Sequence, residues 1–217
     1  MNTPDTAGQG GVSPDASYPS DCELTEMMRQ RSIAPATLVT RPDSWQRCFP
    51  RARLVKLLLL DVDGVLTSGV ITYTDSNEEV KSFHSRDGFG IRLLREAGIR
   101  TGVITARTSQ ALLRRVQDLK LELVFQGVEK KVALFEKILP DLGLKPAEVA
   151  YMGDDWLDLQ LLSRVGLAAT VADAPDEIRN QVHFIASRAG GCGAVRELCE
   201  LLLESRGLLA GLYQKYS

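Results

Sequence analysis

Four consecutive leucines, Leu57 to Leu60, run straight into two aspartates, Asp61 and Asp63, with Gly64 behind them. An unbroken aliphatic run of that length reads as a strand buried on both faces, the mark of a parallel sheet. Parallel strands need crossover connections, so the fold class follows at once: α/β, with helices covering the sheet. Open α/β sheets collect their chemistry just outside the carboxyl ends of strands. Two acids buried together there are costly unless a cation or a substrate uses them.

The rest of the chain repeats the pattern. Strands are expected over residues 101–105, 123–125, 149–152, 167–171 and 183–185, and helices over 90–97, 109–119, 131–142, 157–165 and 195–203. Leu112, Leu113, Val116 and Leu119 give the second helix an apolar stripe, and Gly98 stops the first. Residues 70–73 and 79–83 read as the two short strands of a hairpin around Asp75-Ser76-Asn77. The alternation predicts a doubly wound, mainly parallel sheet with a small β-hairpin flap, spanning residues 53–207. Residues 1–52 form a leader whose Gly-, Ser-, Pro- and Asp-rich start, 1–20, predicts disorder, with a short helix over 23–31. Residues 208–217 are a C-terminal tail.

Charge and cysteine content exclude several classes. With 26 basic and 28 acidic residues and no lysine-arginine stripe, a nucleic-acid partner is not expected. No apolar run approaches the roughly 18 residues of a membrane span. The N-terminus lacks the charged start and apolar core of a signal peptide. Cys22, Cys48, Cys192 and Cys199 have neither zinc spacing nor a disulfide framework. The expectation is a cytoplasmic protein without a membrane partner.

Four stations follow four strands. At the first, Asp61 and Asp63 can ligate magnesium, which prefers hard oxygens. Alternatively one carboxylate attacks phosphorus while the other protonates a leaving alcohol and later activates water. At the second, the Thr105 hydroxyl could donate to a phosphoryl oxygen. At the third, Lys131, with Lys130 competing beside it, could neutralise nucleophile and phosphoryl group. At the fourth, Asp154 could complete the magnesium site, with Asp155 and Asp158 behind it; Asp158 would hold a metal-bound water or orient Lys131. Side chains at these strand ends can converge on one phosphate.

These motifs, in this order, resemble the phosphatase branch of the haloacid dehalogenase superfamily. Asp63 separates the chain from the dehalogenases themselves, which lack the second acid. The resemblance implies a Rossmann-like haloacid dehalogenase fold. It makes Asp61 the nucleophile and Asp63 the general acid/base. Thr105 and Lys131 then position the phosphoryl group, and Asp61, the Asp63 carbonyl and Asp154 hold Mg2+. Only 43 residues lie between Asp61 and Thr105, and 22 between Lys131 and Asp154, too few for a cap domain of about 50 residues or more. Without a cap the site stays open to water and to a bulky substrate unless a neighbouring subunit covers it.

A closer resemblance covers residues 54–207. Asp61-Val62-Asp63-Gly64-Val65-Leu66-Thr67, Glu78-Glu79-Val80-Lys81-Ser82-Phe83, Arg86-Asp87-Gly88-Phe89-Gly90-Ile91, Gly153-Asp154-Asp155, Val171-Ala172-Asp173-Ala174 and Gly190-Gly191-Cys192-Gly193-Ala194-Val195-Arg196-Glu197 carry it. They are similar to the capless 3-deoxy-D-manno-octulosonate 8-phosphate phosphatases of lipopolysaccharide precursor synthesis. That family implies an acidic sugar phosphate contacted by Asp63, His84, Ser85, Arg86, Asp87, Gly88, Arg92, Arg107, Arg115 and Lys131. It also implies a homotetramer whose neighbouring subunits close the site, with the tail 207–217 contributing. A nine-carbon, sialic-acid-type 9-phosphate is the alternative substrate, and a non-catalytic scaffold the remote one. Ser68, Ala106 and Cys192 depart from the family pattern, where Asp, Gly and a basic residue are usual. Loss of the cation at Cys192 bears on substrate identity.

Overall fold

The computed structural model describes residues 20, 22–23, 25–27, 41–76 and 78–216. The described residues up to 27 belong to one compact unit and those from 41 onward to another. In the first, Cys22, Glu23 and Thr25 to Met27 are helical, and the Glu23 carboxylate accepts from Ser20 N–H and Oγ at 2.8 Å. Otherwise the disorder expected over 1–20 and the helix expected over 23–31 lie outside the described residues, as does Asn77 of the expected hairpin turn.

The second unit opens with two short helices, α1 (Asp43–Arg47) and α2 (Phe49–Ala52), before β1 (Leu57–Leu60). A hairpin of β2 (Thr72–Tyr73) and β3 (Glu79–Val80) follows, then α3 (Ser85–Glu96), β4 (Arg100–Ile104), α4 (Gln110–Leu119), β5 (Leu123–Phe125) and α5 (Lys131–Leu142). The chain continues through β6 (Val149–Met152), α6 (Leu159–Leu162), β7 (Leu167–Thr170), α7 (Asp176–Arg179), β8 (Phe184–Ile185), α8 (Ala194–Ser205) and α9 (Leu209–Lys215).

Six strands make one sheet in the order β5-β4-β1-β6-β7-β8, every pairing parallel. The four leucines of β1 are 0% exposed, because they are covered on both faces and flanked by β4 and β6. Leu60 pairs with Val103 on one side and Met152 on the other, so the loops after all three strands emerge together. From β1 the chain moves outward to β4 and β5, then returns to the other side for β6 to β8. β1 therefore sits at the switch point where ligand crevices form. No cap domain interrupts this order.

Several boundaries differ from expectation; the hairpin strands, expected over 70–73 and 79–83, are two residues each. The domain begins earlier than residue 53: Trp45, Cys48 and Ala52 are buried in the main core, so residues 41–52 are part of the domain and not leader. Trp45 packs edge-to-face on Phe184, ring centroids 5.5 Å apart, and donates its indole N–H to Glu204 at 3.1 Å. The tail is helical, and Tyr216 packs on Phe89 while Lys215 pairs with Glu96 at 2.7 Å. α3 starts at Ser85, five residues before expectation, capped by His84 Nδ1, which accepts from Arg86 N–H at 3.2 Å. Gly88 and Gly90 weaken the helical pattern in sequence, yet Gly90 lies tight against α8: a Cβ there would lie 3.1–3.2 Å from Arg196 and Cys199. Finally, the helix expected over 157–165 is a 3-10 turn, Trp156–Asp158, followed by the short α6.

Trp45→Ala tests whether residues 41–52 belong to the folded domain. Loss of the buried ring should cost about 3–5 kcal/mol in urea unfolding; an unchanged midpoint would place the segment outside the cooperative unit.

Candidate active site

The turn after β1 is built on one carbonyl. Val62 O accepts from Leu66 N–H at 2.9 Å, Thr67 N–H at 3.0 Å and the Thr67 hydroxyl at 3.3 Å. Gly64 stands at φ +85°, in the left-handed region, and a Cβ there would fall 1.9 Å from Asp154 Oδ2. Glycine is thus required twice, for the turn and for the approach of the loop after β6.

Lys131 opens α5, and its side chain is only 4% exposed. Its ammonium lies 2.9 Å from Asp61 Oδ1, 2.7 Å from Asp158 Oδ1 and 3.1 Å from the Tyr151 hydroxyl. Burial alone would lower its pKa, but the Asp61 and Asp158 carboxylates hold it above the ordinary lysine value. Tyr151 donates its O–H to Asp158 Oδ1 at 2.6 Å, while Asp158 Oδ2 accepts from the N–H of Asp154 at 3.0 Å and of Asp155 at 3.3 Å. Asp158 is therefore fully engaged by four donors. Lys130, the sequence competitor, makes no such contact; it is the residue before the helix.

Asp61, Asp154 and Asp158 each offer an oxygen within 4.8 Å of the others. Proximity alone admits all three as cation ligands, but the donors on Asp158 leave it little to give. Asp154 is the opposite case: its Oδ1 is buried without a hydrogen-bond partner. Burial, then the charges of Asp61, Asp158 and Asp155, push its pKa up to about 8; burial also raises Asp61 to about 6, against the pull of Lys131. A buried carboxylate oxygen without a partner, beside a second carboxylate, fits a hard divalent cation. Asp155 instead caps the 3-10 turn, accepting from Trp156 N–H at 2.7 Å.

Asp63 is held from the hairpin. Its Oδ1 is bonded by the ammonium of Lys81, a lysine whose side chain is 4% exposed and which also lies 3.4 Å from Glu79. Glu79 binds Arg107 at 2.6 Å, and Arg107 Nε lies 3.9 Å from Asp63 Oδ2. That oxygen, buried, has no hydrogen-bond partner. Thr105 is buried at the end of β4; its Oγ1 accepts from Arg107 N–H at 3.2 Å, leaving its own proton to donate. Lys81, Glu79 and Tyr151 were not assigned roles from sequence. A usable signal existed for two of them: Glu79 and Lys81, two apart on a strand, must share one face.

The residues expected at the substrate divide. Arg107 stands by Asp63, whereas Arg92 and Arg115 line a groove of about 260 Å³ with Ser85 and Gly88. Arg115 donates to His84 O at 3.4 Å and Arg92 pairs with Glu96 at 3.1 Å. Arg86 lies in the exposed first turn of α3. Asp87 requires correction: it is 1% exposed and both its oxygens are taken by backbone N–H groups, Gly193 at 3.2 Å and Arg196 at 2.7 Å. It faces α8 and not a substrate. His183 accepts from Ala168 N–H at 3.0 Å. Of the three departures, Cys192 and Ser68 are exposed and Ala106 is half-buried.

A family of haloacid dehalogenase-like hydrolases matches residues 113–196. The chain is 41% identical to the 3-deoxy-D-manno-octulosonate 8-phosphate phosphatase of Haemophilus influenzae over 154 residues, 70% of this chain and 85% of that protein. To the enzyme of the same name from Escherichia coli it is 40% identical over 159 residues, 73% of this chain and 85% of the relative. Among solved structures, the Moraxella catarrhalis phosphatase in complex with magnesium, phosphate and KDO superposes with a TM-score of 0.76 at 32% identity, covering 78% of this chain and 97% of that one. The cobalt-bound H. influenzae enzyme gives 0.70 at 39% identity, covering 73% and 93%.

The raised carboxyls predict a pH signature. An acid that holds its proton more tightly folded than unfolded stabilises the fold below its unfolded pKa, and this is lost as pH rises toward the folded value. In chelator, thermal stability should therefore fall between about pH 4 and pH 8, and Asp154→Asn should flatten much of that slope. An equally steep profile in the variant would contradict the burial of Asp154 beside Asp61.

Proposed function

The chain belongs to the haloacid dehalogenase-like hydrolases and is a phosphoric monoester hydrolase of that family; from this premise we propose that it releases inorganic phosphate from an acidic sugar phosphate, 3-deoxy-D-manno-octulosonate 8-phosphate, with magnesium. The observation that carries the reading is the convergence of Asp61, Lys131 and Asp154 at the ends of β1, the β5–α5 connection and β6, with Asp154 Oδ1 unpartnered. The names of the relatives and the magnesium, phosphate and KDO in the M. catarrhalis structure support the substrate and the metal.

Asp61, the carbonyl of Asp63 and Asp154 would hold the ion. When bound, magnesium offsets the repulsion between an attacking carboxylate and an anionic phosphoryl group. Asp61 attacks phosphorus; an Asp61 O–P bond forms, the ester P–O bond breaks, and Asp63 gives its proton to the departing sugar oxygen. Water then attacks the aspartyl-phosphate, Asp63 takes the water's proton, and Asp61 is released with inorganic phosphate. Lys131 and the Thr105 hydroxyl hold the phosphoryl oxygens, and Asp158 with Tyr151 keeps the Lys131 ammonium aimed.

A homotetramer completes the reading. The hairpin exposes Val70, Ile71, Tyr73 and Val80, and an isolated two-stranded ribbon with exposed apolar side chains is a poor free surface. A neighbour covering it would bring a second set of cations, such as Arg92 and Arg115, toward the open site. Among the described residues no helix is long and apolar enough to cross a membrane, in keeping with a cytoplasmic role.

Three measurements test this. On a panel of sugar phosphates with magnesium, the eight-carbon keto-acid phosphate should give the highest kcat/KM; equal or better turnover of the nine-carbon 9-phosphate would reverse the substrate assignment. Asp61→Asn should lower kcat at least about 10³-fold, and undiminished turnover would remove Asp61 as nucleophile. In sedimentation, Val70→Lys with Ile71→Lys should convert the tetramer to smaller species; an unaltered profile would free the hairpin of that role.

A further inference from the structure

The turn that carries Asp61 and Asp63 does not stand alone. It rests on the loop 187–193, which passes beneath it at backbone contact. Gly191 N–H donates to Val65 O at 3.0 Å. A Cβ on Gly190 would lie 1.8 Å from Gly64 O, and one on Gly191 would lie 2.6 Å from the Thr67 carbonyl carbon. The glycines thus let two backbones touch, and any movement of this loop displaces the turn.

The loop is itself pinned by carboxylates from elsewhere. Asp173, after β7, accepts from Gly190 N–H at 2.9 Å. At the other end, α8 has glycine as its N-terminal cap and no capping side chain of its own. Asp87 supplies it from across the chain, accepting from Gly193 and Arg196 N–H. A carboxylate with both oxygens on main-chain N–H groups makes two charge-assisted bonds in a site closed to water. Asp87 also lies in the first turn of α3, next to His84, Ser85 and Arg86.

We propose that Asp87 and Asp173 are positioning residues for the reaction: they clamp the glycine segment 190–193 at its two ends, and that segment sets the catalytic turn, so that the substrate-side end of α3 and the nucleophile move as one body. Asp87 acts through the loop and does not touch substrate. The assignment rests on the phosphatase reading above, but the clamp is a mechanical claim that can be measured without turnover.

The test compares Asp87→Asn and Asp173→Asn with the unaltered protein. Each is assayed with magnesium on p-nitrophenyl phosphate and on the acidic sugar phosphate, and amide hydrogen exchange is followed over residues 64–68 and 190–193. Displacing reacting groups by a fraction of an ångström should lower kcat about 10- to 100-fold on both substrates with KM within about twofold, and exchange should quicken in both segments. A rise in KM confined to the acidic sugar phosphate in Asp87→Asn would make Asp87 a substrate contact and overturn the proposal. Unchanged kcat with unchanged exchange at 64–68 would reduce the pair to ordinary helix capping and overturn it too. Should Asp87→Asn fail to fold, Asp173→Asn carries the same comparison, since it leaves α8 capped. If the unaltered protein hydrolyses neither compound, the phosphatase reading fails, while the exchange data still decide the clamp.

Discussion

A buried ammonium between two carboxylates is the interaction on which the site depends. Lys131 has no water to solvate it, so its charge is tolerable only because Asp61 and Asp158 flank it. The arrangement locks three elements together: the β1 end, the start of α5 and the turn after β6. It also decides which acids stay free. Asp158 is used up by Lys131, Tyr151 and two backbone N–H groups. Asp154, four residues earlier, keeps an oxygen that none of the described residues satisfies. The same geometry that stabilises one carboxylate leaves its neighbour as a ligand.

Around that centre the fold uses backbone contacts where side chains would not fit. Gly64 yields to Asp154, and Gly190 and Gly191 yield to the turn. Gly153 yields to Asp158, since a Cβ there would lie 2.4 Å from its carboxyl carbon. Each close approach removes a degree of freedom from a reacting group. At Gly190 and Gly191 main chain is wedged against main chain, which cannot change rotamer. The hairpin contributes differently, through a charge quartet of Asp63, Glu79, Lys81 and Arg107.

Much of this was legible in advance, and the misses have physical causes. The strands 123–125 and 149–152 and the helix 131–142 coincide with expectation because each is an apolar run bounded by turn residues or has a clear apolar period. α3 was read short because its glycines lower helical propensity, while the contact that Gly90 makes, with α8, lies more than 100 residues away. α1 and α2 went unread because five- and four-residue helices carry too little periodicity to register, although Trp45 buries its ring in the core. Asp87 was placed at the substrate on family likeness; its carboxylate is spent on α8.

The linear order of residues determined that an acid pair, a hydroxyl, a lysine and an acid cluster would each follow a strand. Burial pattern and turn chemistry are local, and a strand's end can be found from the few residues around it. Tertiary structure alone decided the pairings: Asp158 on Lys131, Lys81 on Asp63, Asp87 on the start of α8. Each joins positions between 18 and 109 residues apart, and an unpaired charge finds its partner only when packing has removed the water that would otherwise solvate it.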